Sequence, residues 1–148
     1  MRFVIQRVTK ASVSVDGSVV SQIGKGFLVL AGVFAEDTNA DAEKMVKKLC
    51  GLRIFADENG KTNLSLADVG GELLMVSQFT LCADCKHGNR PSFSGAGAAA
   101  FAEEMFNYIC GLAEQCVPSV KRGVFGADMK VELLNDGPFT IVLDSKEL

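Results

Sequence analysis

The sequence predicts an α+β fold: a single domain, residues 1–148, with a mainly antiparallel, strongly curved or barrel-like sheet and two main helices. Three observations carry that reading. About eight β-rich segments are spread along the whole chain. Most consecutive ones are separated by a few turn-forming residues, the connection that suits antiparallel neighbours. Only two segments place apolar residues at helical spacing. A strand count of this size in one short domain favours a sheet that curls on itself.

The elements follow in order. Phe3–Val8 and Ala11–Val15 are β-rich, and Asp16-Gly17 is a two-residue hairpin signal that lets Val19–Ile23 pair back. Lys25-Gly26 leads into FLVLAGVF, whose unbroken apolar character marks a central strand. Asp37 or Thr38 can cap a helix in which Ala42, Met45, Val46 and Leu49 share a face, with Gly51 at its end. Leu52–Phe55 reads as a short strand before the turn Asp57-Glu58-Asn59-Gly60. After Gly70-Gly71 comes the strand ELLMVSQFTL, then the loop CADCKHGNRPSFSGAG. The second helix is expected from about Ala98 to Glu114, with Phe101, Met105, Tyr108 and Leu112 on one stripe. Val117–Val120 is a further candidate strand. Met129–Leu134 and Phe139–Leu143 are the last two, joined by the turn Asn135-Asp136-Gly137-Pro138.

Composition narrows the function classes. Hydrophobic residues make up 48% and charged residues 22%, the balance of a globular domain with its own core. The net charge of −3 argues against a broad surface gripping duplex DNA, which needs many Lys and Arg contacts. It leaves room for a protein that touches one end of an RNA. Arg2 and Arg7 interrupt any apolar leader at the start. The longest apolar run, Phe27 to Ala35, is far short of the roughly 20 residues of a membrane span. Cys50, Cys82, Cys85, Cys110 and Cys116 have no framework spacing, so they are expected to be reduced thiols in a cytoplasmic protein.

Four segments could carry chemistry. Cys82-Ala-Asp-Cys85-Lys-His87 offers three soft ligands, yet no second pair stands nearby to complete a zinc site, so no metal is expected. His87 is the only histidine and sits in a Gly/Lys/Asn loop, a poor setting for an oriented base. Ser77-Gln78-Phe79-Thr80-Leu81 ends an apolar strand with two hydroxyls and an amide, either as the mouth of a cleft or as an ordinary strand end. Asn135-Asp136-Gly137-Pro138 is a turn, for which a trans proline is the ordinary form. Gly123-Val-Phe125-Gly126-Ala127-Asp128-Met129 is either a base-stacking segment around Phe125 or a glycine-rich approach to the next strand.

Taken together, MRFVIQRV, Leu52-Arg53-Ile54-Phe55, VSQFTL at 76–81, RPSF at 90–93, GVFGADM at 123–129 and NDGP at 135–138 with TIVLDS behind it resemble the D-aminoacyl-tRNA deacylase family. The order of these stretches matches the family's and they span almost the whole chain. The resemblance implies a homodimeric hydrolase that acts on the tRNA 3′ end carrying a D-amino acid or glycine, with no cofactor. It implies that Ser77, Gln78, Phe79 and Thr80 of one subunit form the catalytic floor. Gly137-Pro138 of the other, as a cis peptide, would reach across to hold the ammonium group. Arg7 would brace that segment, and Phe125 would face the terminal adenine, with Met129 also among the substrate-binding residues. Chirality would be selected by steric exclusion of the L side chain. Thr80 or an RNA-assisted water is the nucleophile, and the water route is preferred because no base adjoins Thr80 in the sequence. The competing reading is a non-enzymatic module that binds an RNA end or a small molecule.

Overall fold

The computed structural model describes residues 1–148. Its strands are β1 (Arg2–Val15), β2 (Ser18–Ile23), β3 (Gly26–Gly32), β4 (Arg53–Ala56), β5 (Thr62–Ser65), β6 (Glu72–Ser77), β7 (Val120–Arg122) and β8 (Lys130–Asp144). Helix α1 spans Asn39–Gly51 and α2 spans Ala99–Cys116, and a 3₁₀ turn covers Phe79–Cys82. Neither helix is long and apolar enough to cross a membrane.

The long strand β1 is the spine of the sheet. Along one edge it pairs with β8 from Arg2 to Ser14; along the other it pairs first with β3 and then with β2. Two register shifts against β8, between Gln6 and Val8 and between Val8 and Lys10, interrupt the alternation of faces. Phe3 and Ile5 therefore enter one buried cluster, while Val8, Ala11 and Val13 enter another. The bend curls the sheet toward closure, and the Ser21 hydroxyl donates 2.6 Å to the Arg122 carbonyl, tying β2 to β7. The smaller cluster fills the inside of the curl, and the larger one lies beneath both helices. Strands β3 and β6 are covered on both faces: Phe27, Val29, Leu73 and Met75 face the larger cluster, and Leu28, Leu74 and Val76 the smaller. That double burial is why both read as unbroken apolar runs.

The sheet is mixed. Pairing is antiparallel around β1 and parallel where β6 meets β3 and β7. Each parallel neighbour is reached by a crossover containing a helix, which the sequence shows as periodicity but not as a direction. Asp16 and Gly17 both have positive φ, the geometry of the expected hairpin. Thr38 caps α1 in a reciprocal box with Asp41, leaving Asp37 for another role.

Several boundaries differ from the sequence expectation. The first two β-rich segments form one strand, as do the last two. Strand β5 went unread because Thr62–Ser65 is polar and half-exposed. Strand β6 stops at Ser77, where the chain turns into the 3₁₀ segment. The last short strand begins at Val120, not Val117, which caps α2. The buried stripe of α2 is Ala102, Met105, Phe106, Ile109, Cys110 and Ala113, with Phe101, Tyr108 and Leu112 at its border. Large side chains alone misplace that face, because small residues pack where α2 approaches its neighbours.

The start of β1 is pinned by charge. The Met1 ammonium, fully buried, donates 2.5 Å to Asp37 Oδ1 and 2.9 Å to Ser145 Oγ, and Asp37 Oδ2 accepts from the Phe34 amide. One buried carboxylate thus joins both ends of β1's neighbourhood to the entry of α1. Removing one partner of a buried pair leaves the other uncompensated. Asp37→Ala is expected to lower unfolding stability by about 3 kcal/mol, read from the urea midpoint. A midpoint unchanged from the parent protein would show that the pair contributes nothing to the fold.

Candidate active site

A cavity of about 500 Å³ opens where β3 and β6 end. Its wall takes Ala31 and Val33 from the β3 edge, Val76, Ser77, Gln78 and Phe79 from β6 and the turn after it, Ala102 and Phe106 from α2, and Phe125, Asp128 and Met129 from the approach to β8. The carboxyl ends of adjacent parallel strands leave such a crevice because the chain must depart there toward a helix.

Local geometry explains the SQFT segment. The Gln78 amide donates 2.8 Å to the Ala31 carbonyl, the last ladder bond with β3. The chain then tightens, and the Leu81 amide donates back to the Gln78 carbonyl at 3.2 Å. Gly32 makes this possible, since a Cβ there would stand 2.8 Å from Leu81 Cβ and 3.1 Å from the Gln78 carbonyl oxygen. Arg2 holds the far end of the turn, donating 3.0 Å to the Leu81 carbonyl while its guanidinium pairs with Asp144 at 2.9 Å. Burial pushes the Asp144 carboxyl up, but the Lys146 amide and Arg2 outweigh it and hold it below the ordinary range. Gln78 Nε2 donates 2.6 Å to Thr80 Oγ1. Thr80 is exposed and not part of the cavity wall, and Phe79, 56% exposed, meets the Phe93 ring edge-on at 5.1 Å. Phe125 is half-buried against Phe106, with ring centroids 6.3 Å apart.

The other expected residues lie elsewhere. Asp136, Gly137, Pro138 and Phe139 do not form a hairpin between two strands. They bulge out within β8, since Asn135 pairs with Val8 and Thr140 with Gln6, leaving Arg7 opposite the bulge. Arg7 donates 2.8 Å to the Asp136 carbonyl and 2.6 Å to the Ile54 carbonyl, and its guanidinium lies 4.5 Å over the Phe139 ring. Asn135 clamps the bulge, donating 3.0 Å to the Phe139 carbonyl and accepting from its amide at 2.7 Å. The Gly137–Pro138 bond is cis. A Cβ on Gly137 would fall 2.5 Å from the Phe139 nitrogen, so only glycine fits. Gly137 and Pro138 are exposed, and neither they nor Arg7 line the cavity. The candidate site is thus in two parts: Ser77, Gln78, Phe79, Phe125 and Met129 around the cavity, with Thr80 outside the wall but bonded to Gln78, and Arg7 with Gly137-Pro138 on the β1–β8 bulge.

The cavity wall carries one ionisable group, Asp128, which is exposed and paired with Lys130 at 3.2 Å. Cys82 is buried behind the turn, its thiol donating to the Val33 carbonyl at 3.4 Å, and burial raises its pKa. Cys85 and His87 lie exposed on the following loop. Sequence reasoning missed Gly32, Arg2 and Asn135. Gly32 had a signal, a lone glycine inside an apolar run. Arg2 acts through partners far along the chain and gave none, and Asn135 was marked only as part of the NDGP segment, not as its clamp.

A family model described as D-Tyr-tRNA(Tyr) deacylase matches residues 4–144, which include both parts of the site. A D-aminoacyl-tRNA deacylase of Clostridium acetobutylicum is 51% identical over 148 residues, covering 100% of this chain and 99% of that protein. One of the same name from Anaeromyxobacter dehalogenans is also 51% identical, with the same coverage. A solved structure titled c-Myc DNA Unwinding Element Binding Protein superimposes with a TM-score of 0.93 at 44% identity, over 97% of this chain and 98% of its own. A probable eukaryotic D-amino acid tRNA deacylase superimposes with a TM-score of 0.84 at 17% identity, over 96% of this chain and 97% of its own, a likeness of fold. With a matching model across nearly its whole length and half-identical relatives end to end, the chain belongs to the D-Tyr-tRNA(Tyr) deacylase family.

Proposed function

We propose that the protein hydrolyses the ester joining a D-amino acid, or glycine, to the 3′ end of tRNA, as a cytoplasmic homodimer that needs no cofactor. Family membership supports the deacylase activity. The observation that carries the mechanism is the separation of the site into a cavity and a distant exposed bulge. A cavity of about 500 Å³ walled mainly by apolar groups suits one nucleoside. Phe125 and Met129 line it and would pack on the terminal adenine. The bulge would enter the cavity of a second copy. In support, β8 pairs only with β1, leaving an open edge fifteen residues long with Leu134 and Val142 54% and 59% exposed.

In that assembly the carbonyl oxygens of Gly137 and Pro138 accept from the substrate ammonium. The ester oxygen meets the amides of Phe79 and Thr80, which begin a helical turn and have no earlier carbonyl of that turn to bond. With both groups held, a D side chain points to solvent and an L side chain collides with the Gly-Pro backbone. Glycine, without a side chain, is not excluded. Water attacks the carbonyl carbon, and the ribose oxygen leaves with a proton. Thr80, its hydroxyl fixed by Gln78, positions the ester. The only ionisable group on the wall, Asp128, is paired with Lys130, so the terminal 2′-hydroxyl orients the water.

Binding without turnover is the second reading, favoured by the 44% identical relative whose title names a DNA element. The net charge of −3 gives little grip on duplex DNA, so the first reading excludes DNA as a partner.

Three outcomes follow. Labelled D-Tyr-tRNA and D-Asp-tRNA are expected to lose their amino acid over time while L-Tyr-tRNA persists; equal rates on L and D esters would sink steric exclusion, and no turnover would favour the binding module. Thr80→Ala should keep kcat within about tenfold, whereas tRNA ending in 2′-deoxyadenosine should be inert. A loss of several powers of ten in Thr80→Ala would instead make Thr80 the nucleophile. Light scattering at micromolar concentration should give twice the chain mass of 15.7 kDa. Full activity at the monomer mass would refute the shared site.

A further inference from the structure

The chain has ten phenylalanines and one tyrosine, and only two of these rings are exposed, Phe79 and Phe93. The two meet each other, with ring centroids 5.1 Å apart and planes at 70°. Folding ordinarily hides such rings, because each offers a large apolar area to bury. An edge-to-face pair left in solvent keeps flat ring surface uncovered. Phe79 also lines the cavity, so the pair continues the cavity wall outward.

The backbone holds Phe93 in place. Asp84 and Ser92 exchange two bonds, the Asp84 amide donating 2.7 Å to the Ser92 carbonyl and the Ser92 amide 2.9 Å to the Asp84 carbonyl. Beyond Phe93 the Ala35 amide donates 3.0 Å to the Gly95 carbonyl, and Ala96 and Gly97 join the cavity wall. The loop from Asp84 to Ser92 is exposed throughout. It carries Lys86 and Arg90, and its one acid, Asp84, accepts from the Lys86 amide at 2.9 Å. Arg2, Arg7, Arg53 and Arg122 each donate to an oxygen elsewhere in the chain. Arg90, three residues before Phe93, is the only arginine whose guanidinium has no such partner.

We propose that Phe93, together with Phe79, is a stacking platform for the base that precedes the terminal adenosine, a cytidine in mature tRNA, and that Arg90 meets the phosphate on that side. The inference rests on the deacylase reading, which puts the terminal nucleoside in the cavity. A single strand leaving that cavity presents unstacked bases and one phosphate per nucleotide. Those are the two groups that exposed rings and a free guanidinium recognise. The unpaired arginine beside the rings favours this polyanion over a second copy of the chain as the occupant. Every base has a flat face, so the contact tolerates sequence and adds affinity common to all tRNAs. It acts on binding of the strand and leaves the ester chemistry to the cavity.

The test compares the D-Tyr esters of adenosine, of the dinucleotide cytidylyl-adenosine and of tRNA as substrates of the whole protein. The parent protein is expected to show a KM about tenfold lower for the dinucleotide ester than for the adenosine ester, at similar kcat. Phe93→Ala and Phe93→Leu should each remove that gain and leave turnover of the adenosine ester unchanged, and Phe93→Tyr should keep the gain. Arg90→Gln should flatten the slope of log(kcat/KM) against log salt for the tRNA by about 0.7. Turnover of the adenosine ester with no gain from the added cytidine would overturn the platform and leave the deacylase reading standing. So would a gain preserved in Phe93→Leu, which would make the ring a prop for Phe79. A Phe93→Ala protein at the monomer mass in light scattering would make the ring a contact between copies and overturn the platform too. No turnover of any D ester would remove the deacylase reading and this inference together.

Discussion

The pairing of β1 with β8, and the bulge that interrupts it, is the constraint on which the other features hang. Because β1 pairs on both edges, its register sets the positions of β2, β3 and β8 at once. Because four residues of β8 are extruded opposite Arg7, the alternation of faces shifts and the sheet bends there. The bend divides the apolar side chains into an inner cluster and an outer one under the helices. The same extrusion exposes Gly137 and Pro138. One irregularity in the ladder therefore curls the fold and projects Gly137-Pro138 from its surface.

Arg7 is what keeps that irregularity fixed. A bulge leaves carbonyls without ladder partners, and Arg7 satisfies the Asp136 carbonyl while tying it to the Ile54 carbonyl at the start of the small β4–β5 hairpin. Its planar group also covers the Phe139 ring, a combination that a lysine could not reproduce. Asn135 closes the base of the bulge through its own side chain. Under the proposed chiral selection such bracing would matter, because exclusion by backbone atoms fails if the backbone can yield.

The cavity is built on the opposite principle. Its wall is mostly apolar and offers amides and hydroxyls where many hydrolases place a base. A site of this kind acts by holding groups in place, and an aminoacyl ester is already activated enough for positioning and oxyanion stabilisation to suffice.

The sequence by itself determined the elements whose cause is local. The Asp16-Gly17 hairpin, a helix cap at Asp37 or Thr38, and the apolar runs of β3 and β6 were legible because turn chemistry, capping and double-sided burial each leave a mark within a few residues; the choice of Thr38, boxed with Asp41, came from the structure. The residue types at 77–80 and 135–138 marked the two candidate parts through family likeness, where pattern alone left an ordinary strand end and a plain turn. Only the tertiary structure decided that Asn135–Pro138 lies inside a continuous strand, that β6 runs parallel to β3 and β7, and that Arg7 stands apart from the cavity. Those facts rest on partners many residues away: Val8 and Gln6 for the bulge, the helical crossovers for strand direction, Ile54 for Arg7. Long-range pairing leaves no period in the sequence, so the placement of the site became visible only once the sheet had closed around β1.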